Sequence, residues 1–82
     1  MTLDKLKAGK KGIIKSVGGS GALRRNLLDM GLTPNTEVMV RKVAPLGDPM
    51  ELFLRGYELT LRRMDARVIK IEEVKDWISI LH

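Results

Sequence analysis

The sequence contains no cysteine, and its only histidine is the last residue, His82. A chain without cysteine forms no disulfide framework and offers no thiol nucleophile or thiolate ligand for a metal. No set of nucleophile, general base and orienting group can be assembled from the side chains that remain. We therefore expect that the protein is not an enzyme, and that it holds no cofactor and no metal ion.

Aromatic residues are also scarce, at 4% of the chain, whereas 44% of its 82 residues are hydrophobic. The core is therefore expected to be aliphatic, and a chain of this length supports one domain. No apolar run approaches the roughly 18 residues of a membrane-spanning helix, and the N-terminus has no apolar signal segment. The sequence thus predicts a cytoplasmic protein without membrane insertion.

Positive charge is in excess, with 15 basic and 10 acidic residues. Residues 1–25 hold one acid and seven basic residues, Lys5, Lys7, Lys10, Lys11, Lys15, Arg24 and Arg25. A basic segment of this kind binds nucleic acid, anionic headgroups or an acidic patch on a protein, or it only keeps the protein soluble. Binding to single-stranded RNA requires aromatic platforms, and no aromatic residue precedes Phe53, so nucleic acid is the less favoured partner.

One helix is expected in the first half of the chain, over residues 21–30, with Ser20 as its N-cap and Gly31 after its end. Leu23, Leu27 and Met30 form one stripe at helical spacing, which predicts that they face the core. Leu28 lies off this stripe and is expected on the surface.

Short strands are expected elsewhere, because branched and apolar residues alternate with polar ones between glycine and proline turns. The predicted strands cover residues 11–18, 37–44, 50–55, 58–61 and 67–72, with a helical turn at 62–66. This pattern is typical of a small barrel or sandwich. The tail is apolar, and Val74, Trp77, Ile78 and Leu81 form a helical stripe that is expected to pack on the barrel or on a second copy.

Two further motifs have structural and functional interpretations. The segment Gly18-Gly19-Ser20-Gly21 precedes a helix, and such an end can hold a phosphate group, but the segment lacks the lysine of a P-loop and is expected to be a flexible entry with a serine cap. The carboxylates are not spaced as in an EF-hand loop, so a solvated face is expected rather than a cation site.

Several motifs occur in an order that resembles the ferrous iron transport protein A (FeoA-like) family. They are Leu3, Leu6, Gly9 and Gly12; the segment 27–36, Leu-Leu-Asp-Met-Gly-Leu-Thr-Pro-Asn-Thr; the loop 44–49, Ala-Pro-Leu-Gly-Asp-Pro; the hairpin 55–62, Arg-Gly-Tyr-Glu-Leu-Thr-Leu-Arg; and Asp65-Ala66 followed by Val68, Ile69 and Ile71. The resemblance covers about positions 3–74. Asn35 stands where the family usually has glycine, and asparagine is the next residue best suited to a positive φ.

The resemblance implies a mostly β fold, an SH3-like barrel of about five short antiparallel strands with one or two short helices, in residues 1–74. The apolar extension in residues 75–82, with a possible helix, lies past the family core. It also implies a cytoplasmic accessory protein of bacterial ferrous iron uptake. The implied partner is the cytoplasmic GTP-binding part of the membrane iron transporter. A homo-oligomer through Trp77, Ile78 and Leu81 is a second expectation, and a basic SH3-like module that binds RNA or the ribosome is the alternative function.

The surface that contacts a partner is predicted to include seven residues. Leu28 is apolar, off the core stripe and flanked by two arginines, and Leu46 is at the tip of a loop that two prolines stiffen. Unless Leu46 folds back onto the barrel, it is expected to touch a partner. The predicted surface consists of Arg24, Arg25, Leu28, Pro45, Leu46, Asp48 and Pro49.

Overall fold

The structure is a computed structural model that describes residues 1–75. Its elements are a 3-10 helix at Leu3–Lys5, β1 at Lys11–Val17, α1 at Gly21–Asp29, β2 at Glu37–Val43, β3 at Met50–Leu54, β4 at Tyr57–Leu61, α2 at Arg63–Ala66 and β5 at Ile69–Val74. None of the described helices is long and apolar enough to cross a membrane. The tail predictions for Trp77, Ile78 and Leu81 lie outside the described residues. Val74 of the same predicted helical stripe is instead the last residue of β5 and is 37% exposed, so its place in a packed helix is wrong.

The five strands form one antiparallel sheet in the order β4-β3-β2-β1-β5. The register shifts between Ile14 and Ser16 in β1, and between Val40 and Lys42 in β2. Each shift places an extra residue in one strand, which bends that strand and increases its twist. The predicted architecture of five short antiparallel strands is confirmed.

The core is aliphatic, as the composition predicts. Alternation with period two places one face of each strand inward, and the predicted pairs Val38 with Val40 and Leu52 with Leu54 are all buried. The buried apolar residues of the described chain are Leu3, Leu6, Ile14, Val17, Leu27, Leu32, Val38, Val40, Met50, Leu52, Leu54, Leu61, Ala66, Ile69 and Ile71.

The last strand begins later than the sequence predicts, at Ile69 rather than at residue 67. Arg67 and Val68 complete the turn after α2, where the Arg67 backbone N–H donates to the Arg63 carbonyl and the Val68 N–H donates to the Asp65 carbonyl. The alternating pair of Ile69 and Ile71 is buried as predicted. The predicted start of β5 is therefore wrong, but its predicted inward face is correct.

The buried face of α1 differs from the prediction at two positions. Leu27 is buried, but Met30 is 37% exposed, whereas Leu28 is half-buried and packs against the core. The helix ends at Asp29, so Met30 is its C-cap and lies beyond the last turn that faces the sheet. The expectation that Leu28 lies off the core is therefore wrong. Ser20 does occupy the N-cap position, but its side chain makes no capping hydrogen bond.

The N-terminal segment covers part of the outer edge of β5. The Ile71 backbone N–H donates to the Met1 carbonyl at 2.8 Å, and Thr2 forms an isolated bridge with Lys70. Leu3 follows this bridge and is fully buried. The start of the chain is thereby attached to the last strand of the sheet.

Candidate docking surface

The seven residues of the predicted surface separate into two groups. Arg24, Arg25 and Leu28 belong to α1, whereas the other four lie in the loop of residues 45–49 between β2 and β3. No hydrogen bond or ion pair within residues 1–75 joins the two groups. Each group is therefore considered separately.

The α1 group is committed largely to the fold. The Arg24 Nε–H donates to the Val17 carbonyl at 3.0 Å and so attaches the helix to the end of β1. Leu28 packs on the core with part of its side chain. Arg25 is exposed and makes no ion pair within the described chain. Of these three residues, Arg25 is the exposed one for which the described chain shows no hydrogen bond or ion pair.

The loop group is ordered by hydrogen bonds at both of its ends. The Ala44 backbone N–H donates to the Pro49 carbonyl at 3.0 Å, and the Gly47 N–H donates to the Ala44 carbonyl at 2.7 Å. Gly47 adopts a φ of +86°, which a residue with a side chain reaches only with strain. Leu46 is 95% exposed at the tip. Of the two expectations for Leu46, folding back onto the barrel is wrong.

Asp48 has a structural contact that the sequence does not reveal. Its Oδ1 accepts the backbone N–H of Arg63 at 3.0 Å, and Arg63 is the first residue of α2. A carboxylate at the start of a helix satisfies a backbone donor that has no partner within the helix. Asp48 therefore connects the exposed loop to α2.

Replacement of Asp48 by alanine is expected to lower the free energy of unfolding by about 1 kcal/mol, the usual effect of losing such a cap. Asp48→Asn is the matched control, because the amide oxygen can still accept the Arg63 N–H. Urea denaturation followed by circular dichroism measures both variants. Equal stability of Asp48→Ala and the unmodified protein would show that this contact does not stabilise α2.

A basic groove lies beside the loop. It has a volume of about 380 Å³, and Gly47 of the loop is among its lining residues. Lys5, Lys7 and Arg63 contribute positive charge to it, whereas Asp4 is its one acid. The rest of the lining is formed by Leu6, Ala8, Val43 and Met50. The groove thus combines apolar surface with a net positive charge next to the exposed Leu46.

Two residues of the N-terminal basic segment are paired with acids, and one aromatic ring is covered by an arginine. The Lys11 ammonium lies 3.9 Å from a carboxylate oxygen of Glu37, and Lys15 forms a similar surface pair. One face of the Phe53 ring is covered by the Arg41 guanidinium, whose central carbon lies 5.0 Å from the ring centroid. No observation here favours the alternative of RNA binding. Within residues 1–75, no three His, Asp or Glu side chains are grouped to hold a metal ion.

A polar cluster that the sequence analysis did not identify lies where two turns meet. We call it the Arg55 corner, and it consists of Thr33, Thr36 and Arg55. The Arg55 Nη2 donates to the hydroxyls of Thr33 and Thr36, at 2.7 Å each, and the two hydroxyls are 2.8 Å apart. The contacts join the turn before β2 to the turn between β3 and β4.

The backbone of Arg55 is in the left-handed region, with φ +49°, and Gly56 follows with φ +84°. Two successive positive φ values are typical of the two-residue turns that favour Asn-Gly in tight hairpins. A left-handed arginine costs about 1–2 kcal/mol of conformational energy. The sequence indicates this turn by an Arg-Gly pair between two segments in which apolar and polar residues alternate. The predicted positive φ of Asn35 is confirmed at +70°.

Comparison with known proteins identifies the same family from sequence and from structure. The sequence profile of the FeoA domain matches residues 1–73. The chain is 36% identical over 72 residues to the Fe(2+) transport protein A/Fe(2+) transporter FeoB fusion protein of Porphyromonas gingivalis. The match covers 88% of this chain but only 8% of that relative, so the chain spans a small part of its length.

Solved structures show the same fold. The FeoA-like protein of Clostridium acetobutylicum has a TM-score of 0.86 at 33% identity, and the match covers 93% of this chain and 88% of that one. FeoA of Stenotrophomonas maltophilia, described as a procaryotic SH3 domain protein, has a TM-score of 0.77 at 24% identity, with 88% and 89% covered. The predicted SH3-like barrel is therefore confirmed, and the chain belongs to the FeoA domain family.

Proposed function

We propose that this chain is an accessory protein of ferrous iron uptake that works in the cytoplasm. It acts by contact with the cytoplasmic GTP-binding part of the membrane iron transporter and catalyses no reaction itself. The observation that carries this proposal is the Porphyromonas gingivalis relative, in which a similar domain is joined to an Fe(2+) transporter. Joining two parts in one chain keeps them at a high effective concentration, which suits a domain that acts on its neighbour.

The loop of residues 45–49 supports a docking role. Leu46 is an almost fully exposed apolar side chain on a loop that hydrogen bonds already hold in place. A loop whose backbone is already ordered loses little conformational entropy when its apolar side chain binds. The adjacent basic groove adds positive charge around it. We infer that Leu46 inserts into an apolar pocket of the transporter with an acidic rim.

Replacement of Leu46 by serine tests this proposal. Because the side chain is exposed, we expect the free energy of unfolding to change by less than about 0.5 kcal/mol. Loss of a central apolar anchor costs about 2 kcal/mol of binding, or roughly 30-fold in affinity. We therefore expect Leu46→Ser to lose most transporter-dependent iron uptake in cells and to bind the purified GTP-binding domain more weakly.

Met64→Ser is the matched control, because Met64 is 60% exposed on α2 and is also apolar. It is expected to retain uptake and binding. Normal uptake with Leu46→Ser would contradict the docking role of the loop. Binding to the membrane part of the transporter and not to its GTP-binding domain would contradict the proposed partner segment.

A further inference from the structure

We propose that the outer face of the sheet is the docking surface for the chain's own C-terminal segment, residues 76–82, which follows the described residues. The apolar side chains of this segment are expected either on the barrel or on a second copy, and the geometry of the sheet favours one face of the same barrel. This docking surface goes beyond the proposed function and does not depend on the transporter.

One row of residues, which we call the outer row, crosses all five strands on the face opposite the core. The strand register aligns, from β5 to β4, Val74, Lys11, Met39, Phe53 and Glu58. Successive side chains of a strand point to opposite faces of the sheet, and the residues on either side of Met39 and of Phe53 are buried in the core. The outer row therefore faces away from the core, and three of its five side chains are apolar.

The outer row is accessible in the described chain. Val74 is 37% exposed, and Met39 and Phe53 are half-buried. Three grooves with shared lining residues follow the row, with volumes of about 560 Å³ beside Val74 and Lys11, about 440 Å³ beside Met39 and Phe53, and about 490 Å³ beside Met39 and Glu58. The buried apolar residues of α1 and α2 belong to the core. Neither helix therefore uses its apolar side to cover the outer row.

The charged groups around the outer row are paired within the sheet. The Arg41 Nη1 lies 3.2 Å from the Glu58 Oε1, and the same guanidinium covers one face of the Phe53 ring. The Lys11 ammonium lies 3.9 Å from a carboxylate oxygen of Glu37. An apolar centre with a polar rim is typical of a surface that contacts protein. Because the charges already have partners, the outer row favours an apolar occupant over a charged one.

The segment of residues 76–82 starts at this row and has a matching composition. β5 ends at Val74, which belongs to the outer row, and the next residue, Lys75, lines the same groove. A tryptophan side chain buries roughly 150–250 Å² and is among the largest sources of contact energy. Four of the seven residues that follow Lys75 are apolar, namely Trp77, Ile78, Ile80 and Leu81.

The length of this segment matches the distances along the row. Met39 lies two strands away from Val74, or about 10 Å at the usual strand spacing, and the three residues from Val74 to Trp77 span about 10 Å when extended. Phe53 lies one strand further, at about 14 Å, which is within reach of Ile80. Trp77 can therefore contact Met39, and the residues after it can contact Phe53.

The covalent connection favours the same chain over a second copy. A segment that is joined to its binding surface by a short linker has an effective concentration in the millimolar range. The tail of a second copy competes with it only if the two proteins are present at a similar concentration. We therefore assign the outer row to the tail of the same chain.

The first test is NMR on the full chain with isotope-labelled methionine methyl groups. The chain has five methionines, and Met39 is the one in the outer row. We expect nuclear Overhauser contacts between the Met39 methyl group and the Trp77 indole, and none between the indole and Met64. In Trp77→Ala the Met39 signal should move, because the ring current of the indole is lost, whereas the Met64 signal should not. An unmoved Met39 signal without indole contacts would overturn the proposal.

The second test uses the fluorescence of Trp77, the only tryptophan. Met39→Ser removes the central apolar contact, and we expect the emission to shift to longer wavelength. Met64→Ser is the control, since Met64 is 60% exposed on α2 and outside the outer row, and its emission should be unchanged. Equal shifts in both variants, or native emission already at the wavelength of the unfolded chain, would overturn the proposal. The urea midpoint of each variant is measured first, and the NMR contacts remain decisive if Met39→Ser does not fold.

A mixing experiment separates the two sources of the tail. Labelled Trp77→Ala protein is combined with an equal amount of unlabelled intact protein. If each tail covers its own barrel, the Met39 signal of the labelled chain keeps its Trp77→Ala position. Return of this signal to its position in the intact protein would show that the tail of a second copy covers the outer row, and would overturn the proposal. None of these measurements involves the transporter, so their results are independent of the Leu46→Ser uptake assay.

Discussion

Replacement of Leu27 by alanine is expected to lower the free energy of unfolding by about 2–5 kcal/mol, the range for truncating a buried leucine. Leu27 is 1% exposed and is the one fully buried residue of α1. Its removal therefore leaves a cavity where the helix meets the sheet. Urea denaturation measures the change. If the dependence of the unfolding free energy on urea concentration is the same in both proteins, unfolding remains two-state.

Leu28→Ala is the matched control on the same helix. Leu28 packs against the core but is only half-buried, so we expect a loss of about 1 kcal/mol, below the range for a fully buried leucine. A loss at Leu28 as large as that at Leu27 would mean that the two residues share the buried face equally. Little effect at Leu27 would show that α1 contributes less to stability than its contacts indicate.

Replacement of Gly31 by alanine is the second change with a large expected effect. Gly31 follows α1 with a φ of +99°, where an alanine is strained by about 1–2 kcal/mol. A β-carbon at this position would also collide with the Tyr57 hydroxyl, which donates to the Met30 carbonyl. Loss of this hydrogen bond adds about 1 kcal/mol. We expect a total loss of about 2–3 kcal/mol in urea denaturation.

Two further variants separate strain from collision. Gly21→Ala is the control, because Gly21 has no neighbouring atom within 4 Å of an added β-carbon and no positive φ. It is expected to leave stability unchanged or slightly raised. In a Tyr57→Phe background, Gly31→Ala should cost about 1 kcal/mol less, since the hydroxyl is already absent. An identical cost in both backgrounds would exclude the collision as a cause.

The strands and the core could be predicted because their signal is local. Alternation with period two fixes the inward face of a strand wherever its ends fall. The inward faces of β2, β3 and β5 were therefore correct, even though β5 begins two residues after its predicted start. The family resemblance could be recognised because its motifs are also local: they are turns and strands that follow one another in a fixed order.

The face of α1 could be predicted only in part. A stripe at helical spacing identifies a buried face only while the helix continues, and α1 ends at Asp29. Met30 was therefore assigned to the core although it lies past the last turn. Leu28 was assigned to the surface because the spacing of Leu23, Leu27 and Met30 placed the centre of the stripe too far from it.

The contacts of Asp48 and Arg55 could not be predicted, because they join residues far apart in the sequence. Asp48 meets Arg63 across 15 residues, and Arg55 meets Thr33 and Thr36 across 22 and 19. Composition and spacing identify which side chains carry charge, but not which of them the fold brings within hydrogen-bond distance. The sequence therefore does not reveal that the Asp48 carboxylate caps α2, nor that Arg55 contacts the two threonines.

The pairing of β1 with β5 determines when this chain can fold during translation. β1 leaves the ribosome well before its partner, the strand from Ile69 to Val74. Until then Ile14 and Val17 have no β5 to cover them, and Met1 has no strand to join. We therefore expect a chain that ends before Ile69 to leave β1 with an unpaired edge and exposed apolar residues, which favours aggregation and degradation over a smaller working domain.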